Sequence, residues 1–347
     1  MNSISLTNMS IAGGCGCKIS PQELDRILST SKQTYRNSNT FIGFESAEDC
    51  AVYDNGKNYM LFTTDFFTPL IDDPYVYGFS AAANALSDIF AMGGNPLIAS
   101  SILGYPKDQV PLSYIEAMIQ GSNDAMDLVG CHVVGGHSIQ NPQPIFGFSI
   151  IGEVNYSRLK RNNTAEAGDL LILTKPLGVG IYSNAHKLGL LKEILYEKFV
   201  DSLRHINSQG QVIAQLNEVS AMTDITGFGL IGHCLEMCQE NRISAKIYID
   251  EIPFLPETAD LFELTYSPES GINKNYHSYK DKTVVDPSVS ELQARLLFDP
   301  QSNGGLLISV KPRKFEELST ILGDQVWIIG ECISSGSDCE SRVFITK

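Results

Sequence analysis

The sequence predicts a two-domain chain of mixed class, α+β or α/β, and three observations carry that prediction. The 347 residues exceed what one ordinary core organises and suggest two domains of roughly 150 residues each. Apolar runs of strand type and helical type alternate in both halves of the chain. The composition, 43% hydrophobic and 19% charged, is that of a folded globular protein. No short-period repeat is present.

Taken in order, Gly13-Gly14-Cys15-Gly16-Cys17-Lys18 precedes the first regular pattern and reads as a flexible loop, residues 1–20, that carries chemistry to a site built elsewhere. Ser20-Pro21-Gln22-Glu23 then offers a capping box with proline at the first helical position, and Leu24, Ile27 and Leu28 supply the apolar face. Strands are expected over Cys50–Tyr53 and Tyr59–Phe67, joined by the turn chemistry of Asp54-Asn55-Gly56-Lys57-Asn58. Asp73-Pro74 opens a helix through Ala91 that Met92-Gly93-Gly94 ends. A strand (Leu97–Leu103), a helix (Leu112–Val129) and strands at His132–Val134 and Ile145–Val154 complete the first half.

The polar stretch Asn155–Gly168 is the expected boundary, dividing residues 21–157 from 158–347. Beyond it come a strand at Leu170–Thr174, a turn at Gly178-Val179-Gly180 and helical patterns to about Leu216. A helix over Phe228–Gln239 and a strand at Ala245–Ile249 follow. Ser267–Ser288 is polar with little periodicity and reads as a surface excursion. The end alternates again: helix Ser290–Leu297, strand Leu306–Val310, helix Lys314–Leu322, and strands Val326–Glu331 and Arg342–Ile345.

Forty acidic against 25 basic residues give a net charge of −15, a field that repels nucleic acid and anionic membranes. A nucleotide is compatible with it only through metal cations. The N-terminus lacks the basic-then-apolar pattern of a signal peptide, and no window approaches the roughly 18 apolar residues of a membrane span. A cytoplasmic protein with reduced thiols is expected. The eight cysteines do not form a disulfide framework.

P-loop and dinucleotide-binding fingerprints are absent. The carboxylates are more informative. Asp49 precedes a strand, Asp65 lies near the end of the next, Asp224 sits in Met222-Thr223-Asp224-Ile225-Thr226-Gly227, and Asp88 lies inside an apolar helix. A carboxylate in such surroundings is costly unless paired or bound to a cation, and hard cations such as Mg²⁺ take carboxylate and phosphate oxygens together. Gly135-Gly136-His137-Ser138 after a strand reads as a turn whose amides could meet an anion, with His137 either a phosphate contact or an ordinary turn residue. His233, Cys234 and Cys238 read as a buried helix face, since no second pair closes a zinc site. Cys15 and Cys17 differ: they sit among glycines, and Lys18 beside them favours the reactive thiolate or meets phosphate.

The combination resembles the selenophosphate synthetase (selenide, water dikinase) family, within the wider superfamily of aminoimidazole ribonucleotide synthetase. The match runs in order through Gly14-Cys15-Gly16-Cys17-Lys18, Thr64-Asp65-Phe66-Phe67 and Asn84-Ala85-Leu86-Ser87-Asp88-Ile89-Phe90-Ala91-Met92-Gly93-Gly94. It continues through Gly135-Gly136-His137-Ser138, Met222 to Gly229, and Asp299-Pro300-Gln301-Ser302-Asn303-Gly304-Gly305-Leu306, nearly the whole chain. The thiol-lysine loop is its specific part. Purine-pathway synthetases and thiamine-phosphate kinases share the remainder more loosely and are not expected to carry that loop. A thiol-based selenium carrier without catalysis would need no set of carboxylates.

The resemblance implies an aminoimidazole ribonucleotide synthetase-like fold whose N-terminal domain binds ATP and Mg²⁺ and forms a homodimer through its β-sheet. It implies conversion of ATP, selenide and water to selenophosphate, AMP and phosphate. By matching position, Asp49, Asp88 and Asp224 would be the Mg²⁺ ligands. Ser46, Ala47, Glu48, Asp65 and Asp88 would line the nucleotide site, with Gly136, His137 and Ser138 reaching it from the dimer partner. Lys18 would meet phosphate and Cys15 would hold the catalytic position. Departures are Glu48 where many members have Asp, Ala47 where some have Arg, and Ser302-Asn303 for the commoner Thr-Ser.

Overall fold

The computed structural model describes residues 4–10, 12–19, 23–24, 26–27, 39–42, 47–335 and 340–347. Alternating half-buried strands in the first half pair into a six-stranded sheet. Its strands are β1 (Thr40–Ile42), β2 (Ala51–Asp54), β3 (Tyr59–Phe67), β4 (Asn95–Tyr105), β5 (His132–Gln140) and β6 (Ile145–Val154), in the order β1-β2-β3-β6-β4-β5. Every pairing is antiparallel except β4 with β5. The β2–β3 hairpin closes as its turn residues require: Gly56 takes φ 84°, and its N–H donates to Asp54 Oδ1 at 2.8 Å.

Helix α1 (Pro74–Ala91) crosses one face of this sheet. Asp73 caps it by accepting from the Val76 N–H at 3.0 Å, and Pro74 occupies the first turn. Its run of Ala and Ser keeps it thin, so nearly all of it is buried. Helix α2 (Leu112–Asp127) meets it backbone to backbone: a Cβ on Gly78 would lie 1.9 Å from the Met118 carbonyl oxygen, and one on Gly121 would lie 2.0 Å from that of Tyr75.

The second half forms a seven-stranded sheet in the order β10-β13-β9-β12-β7-β11-β8. Its strands are β7 (Leu170–Leu173), β8 (Val219–Asp224), β9 (Ile243–Tyr248), β10 (Thr283–Val285), β11 (Leu306–Val310), β12 (Trp327–Ser334) and β13 (Val343–Thr346). Strand β13 runs parallel to β9 and β10, and the remaining neighbours are antiparallel. Its helices are α3 (Val179–Lys187), α4 (Glu193–Arg204), α5 (Gly210–Ile213), α6 (Gly229–Cys238), α7 (Thr258–Thr265), α8 (Gly271–Tyr279), α9 (Glu291–Leu296) and α10 (Phe315–Leu322). All five residues of β11 are buried, the polar Ser309 with its hydroxyl donated to Asp169 Oδ2 at 2.7 Å. The segment after β6 is fastened to this half by Lys160, whose Nζ donates to the Leu216 and Val219 carbonyls at 2.8 and 3.0 Å.

Two expectations are corrected. Gly135-Gly136-His137-Ser138 is not a turn after a short strand, because β5 runs straight through it to Gln140, paired residue by residue with β4. The stretch Ser267–Ser288 is not an excursion: it contains α8 and β10, with Ile272, Asn273 and Asn275 buried. Strand β8, unassigned from sequence, ends on Asp224. The expected helix after Ser20 falls partly outside the described residues, which here include Glu23, Leu24, Arg26 and Ile27 in helical conformation but not Ser20, Pro21, Gln22 or Leu28.

The N-terminal segment is docked rather than free. Leu6 is buried beside the apolar side chains of Tyr77, Val110, Tyr114 and Met118. Asp72 Oδ1 accepts from the Thr7 N–H at 2.8 Å, the Thr7 hydroxyl at 2.9 Å and the Ser5 hydroxyl at 3.2 Å. Lys187 of α3 donates to the Ser10 carbonyl, and the Gly14 N–H donates to the Thr68 carbonyl at 2.9 Å. Asp72→Ala removes the central clamp, and hydrogen bonds to a charged group contribute about 1.5–3 kcal/mol. The buried Cys15 of that variant is expected to alkylate at least about tenfold faster in maleimide labelling, with exposed Cys17 as internal control. An unchanged Cys15 rate would show that Asp72 does not hold the segment.

Candidate active site

Three aspartates from three elements converge at one point. Asp49 immediately precedes β2, Asp88 lies in the last turns of α1, and Asp224 ends β8. One ligand oxygen from each lies within 4.8 Å of the others, the one such group of three or more His, Cys, Asp or Glu among the described residues. Asp49 and Asp88 are partly buried and Asp224 wholly so. Thr223 donates to Asp49 Oδ1 at 2.8 Å and Thr63 to Asp88 Oδ2 at 2.5 Å, which fixes the carboxylate planes. Asp49 Oδ2 and Asp224 Oδ2 are buried and accept no hydrogen bond among the described residues. Burial pushes all three carboxyls above the usual range, and repulsion adds to it, from Asp224 and Asp88 on Asp49, from Asp65 and Asp224 on Asp88, and from Asp65 on Asp224. Buried oxygens of like charge without donors suit a hard divalent cation.

The thiol loop closes over this group. Lys18 Nζ lies 3.4 Å from Asp65 Oδ1, and although burial opposes it, the Asp65, Asp88 and Asp224 charges hold the ammonium above its ordinary value. Cys15 is 1% exposed. Its N–H donates to Ser302 Oγ at 2.8 Å and its thiol to Asn84 Oδ1 at 3.5 Å. Asn84 stands one helical turn before Asp88, accepts the Asn303 N–H at 2.8 Å and donates to Asp65 Oδ2. Gly14 is obligatory here: at φ 57° a Cβ would sit 2.2 Å from Ser302 Oγ.

This corrects the expectation of an easily ionised thiol. Burial pushes Cys15 up to about 12, and the nearby Lys18 ammonium offsets that only in part. Cys17 is exposed.

The other sequence-derived residues divide. Asp65 joins the group through Lys18 and Asn84. Glu48 faces away from it, held by Arg161 Nε at 2.7 Å and the Asn162 N–H at 2.8 Å, while Ala47 sits at φ 49° with its carbonyl accepting from Asn162 Nδ2 at 2.7 Å. Ser46 and Cys339 lie outside the described residues. Gly136, His137 and Ser138 are exposed on β5. His233 and Cys234 are buried as expected, with His233 Nε2 accepting the Thr226 N–H at 3.1 Å. Sequence reasoning missed the roles of Asn84, Ser302 and Asn275, whose side chains tie distant segments together. Asn275 Nδ2 donates to the Gly227 and Phe298 carbonyls, both at 2.9 Å. The polarity of Ser267–Ser288 was the available signal, and it was read as exposure.

Comparison with known proteins agrees with this geometry. Residues 47–154 match the family described as AIR synthase related protein, N-terminal domain, and residues 166–339 its C-terminal domain. Thiamine monophosphate kinase from Aquifex aeolicus superposes with a TM-score of 0.65 at 19% identity, covering 94% of this chain and 98% of that one. The complex of AaThiL with AMPPCP and TMP gives 0.67 at 19% identity, covering 95% and 96%. The architecture is therefore that of the AIR synthase-related proteins.

The selenide, water dikinase of Shewanella baltica (strain OS223) is 42% identical over 96% of this chain and 94% of its own length. That of Shewanella sp. (strain MR-4) is 42% identical over 92% and 90%. The chain belongs to the selenide, water dikinase family of phosphotransferases.

Because the folded carboxyls sit above their unfolded values, the folded chain retains protons that the unfolded chain has lost. In the metal-free protein these three carboxyls therefore contribute stability that is lost as pH rises through and beyond the usual carboxylate range. Asp88→Asn removes one of the repelling charges and is expected to raise the metal-free melting temperature near neutral pH. The same change is expected to abolish the upward shift that Mg²⁺ gives the unaltered chain. A lower metal-free midpoint, or an undiminished Mg²⁺ shift, would contradict the assignment of Asp88.

Proposed function

We propose that the chain converts ATP, selenide and water to selenophosphate, AMP and phosphate, with Mg²⁺ held by Asp49, Asp88 and Asp224. The observation that carries this reading is the group of three converging aspartates, two of whose buried oxygens have no donor among the described residues, beside the Cys15–Lys18 loop. The AMPPCP complex of AaThiL, a protein of the same fold, supports an adenine nucleotide as substrate. In this reading Ser46, Ala47, Glu48, Asp65 and Asp88 flank the nucleotide, and Glu48 acts through Arg161 rather than directly.

The bound cation would supply neutralisation of phosphate charge, which a chain of net charge −15 otherwise repels. Lys18 gives a second, mobile positive charge, free to exchange Asp65 for a phosphate oxygen as that oxygen gains charge. The loop covers the carboxylates and keeps bulk water from the first transfer, which would otherwise be wasted on hydrolysis. Cys15 presents a soft sulfur, protonated at rest, where selenium must arrive.

The chain also forms a homodimer in this proposal. The register places Phe62, Phe66, Ile98, Ile102, His137 and Ile139 on one face of the first sheet. Phe62, Phe66, Ile98 and Ile139 are 50%, 45%, 40% and 48% exposed, an apolar patch suited to a second copy that would bring its own Gly136-His137-Ser138 near the site. A cytoplasmic setting fits the seven free cysteines among the described residues, and none of the described helices is long and apolar enough to cross a membrane.

AMP formation should follow selenide supply. Cys15→Ser is expected to reduce it to background and Lys18→Ala to lower turnover about 100-fold, as loss of one aimed charge does. Full selenide-dependent AMP formation in either variant would defeat the role assigned to that residue, and AMP formation indifferent to selenide would defeat the reaction. In sedimentation velocity the unaltered chain should run as a dimer and Phe62→Lys as a monomer. A monomeric unaltered chain would remove the dimer.

A further inference from the structure

The Cys15 loop has two sides, and the reading above uses one. Toward the first sheet it meets Asp65 and the carboxylate group. On the other side lies a cavity of about 560 Å³, between Gly13, Gly16 and Ser302 and the helices α3, α7 and α8. A separate narrow recess is lined by Cys15, Gly16, Lys18, Lys274 and Asn275. Gly16, Gly271, Lys274 and Pro300 line both spaces, which therefore adjoin, and of these four Gly16 borders Cys15 in the chain and Lys274 carries the charge.

Each of the two has a property that suits a passage. A Cβ on Gly16 would have nothing among the described residues within 4 Å, whereas one on Gly13 would strike the Pro69 carbonyl oxygen at 2.8 Å and one on Gly14 would strike Ser302. The loop is thus packed tightly on one flank of Cys15 and open on the other. Lys274 is exposed and has no ion-pair partner among the described residues. Its helix is nevertheless firmly set. Ser270 caps α8 by accepting the Asn273 N–H at 3.4 Å, and buried Asn275 ties it to two backbone carbonyls of the site. The acids on the cavity wall are Glu269 and Asp299, and Asp299 is turned away onto the Gly180 N–H at 3.1 Å and Gln301 Nε2 at 2.8 Å.

A chain this acidic repels small anions, and an anion bound for Cys15 needs a local cation to draw it in. Lys18 is engaged by Asp65, and Lys187 donates to the Ser10 carbonyl. Lys274 has neither commitment.

We propose that this cavity is the route by which the hydrogenselenide anion reaches Cys15, and that Lys274 is the positioning cation at its inner mouth. The proposal rests on the substrates assigned above. Nucleotide and selenide then approach from opposite sides of one loop, so the loop stays closed over the phosphates while the second substrate arrives.

The test is steady-state AMP formation by the full chain carrying Lys274→Glu or Lys274→Arg, with selenide titrated at saturating ATP and ATP titrated at saturating selenide. Lys274→Glu should raise the KM for selenide at least about tenfold and leave the KM for ATP within about twofold, the split that loss of steering predicts. Lys274→Arg should restore the selenide KM. The decline of kcat/KM for selenide with added salt should be shallower in Lys274→Glu than in the unaltered chain. An unchanged selenide KM, or equal rises in both KM values, overturns the route and leaves the reaction standing. AMP formation by the unaltered chain that ignores selenide overturns the substrate assignment and the route together.

Discussion

Mutual repulsion among Asp49, Asp88 and Asp224 is the constraint on which this structure turns. Each comes from a different element, two from the first half of the chain and one from the second, and each is held in its plane by neighbouring side chains. Folding therefore brings together like charges that water would keep apart, in a place where two of their oxygens have no donor. A cation bound there, as proposed, would convert that repulsion into attraction and link the two halves at the same stroke.

Helix α1 is what makes the convergence possible. Its small residues let it lie against the first sheet and against α2 at backbone distance, so Asn84 and Asp88, one turn apart, reach the same cleft. Asn84 then reads the state of three segments at once, accepting from Cys15 and Asn303 and donating to Asp65. A leucine or a carboxylate there could not do so, because the position needs a donor and an acceptor on one rigid amide. The loop, the carboxylates and the turn at Ser302 are thereby parts of one hydrogen-bonded unit.

Much of this was legible in the sequence because it depended on local rules. Asp73-Pro74 at the start of α1, the Asn55-Gly56 turn, and Ser290 capping α9 with Gln293 are all settled by neighbours within a few residues. Asp88 was legible for the opposite reason, since an acid amid alanines violates the local pattern. What escaped was set by distant partners. The Gly135-Gly136 pair looked like a turn, but pairing with β4 over eight residues outweighs the glycine preference. The stretch around Asn275 looked exposed because buried asparagines resemble surface ones until their carbonyl partners, Gly227 and Phe298, are known. Cys15 looked easily ionised because Lys18 is adjacent in sequence, whereas burial, a property of the whole cleft, dominates its proton affinity.

That last case bears on how the loop works. A thiolate at rest beside Asp65 and the aspartate group would add one more negative charge to a site already short of positive ones. Keeping Cys15 protonated and enclosed until substrate charges are in place avoids that, and it also shields the sulfur from oxidants and from unrelated electrophiles. Cys17, two residues on, is exposed and has no such protection. The difference between the two follows from the backbone: Gly14 at positive φ tucks Cys15 against Ser302 and Asn84, and the short 3₁₀ turn that follows carries Cys17 out of the cleft. The glycines of the loop therefore serve a placed sulfur as much as a moving one, with Gly14 fixing its position and Gly16 leaving its other flank uncrowded by the described residues.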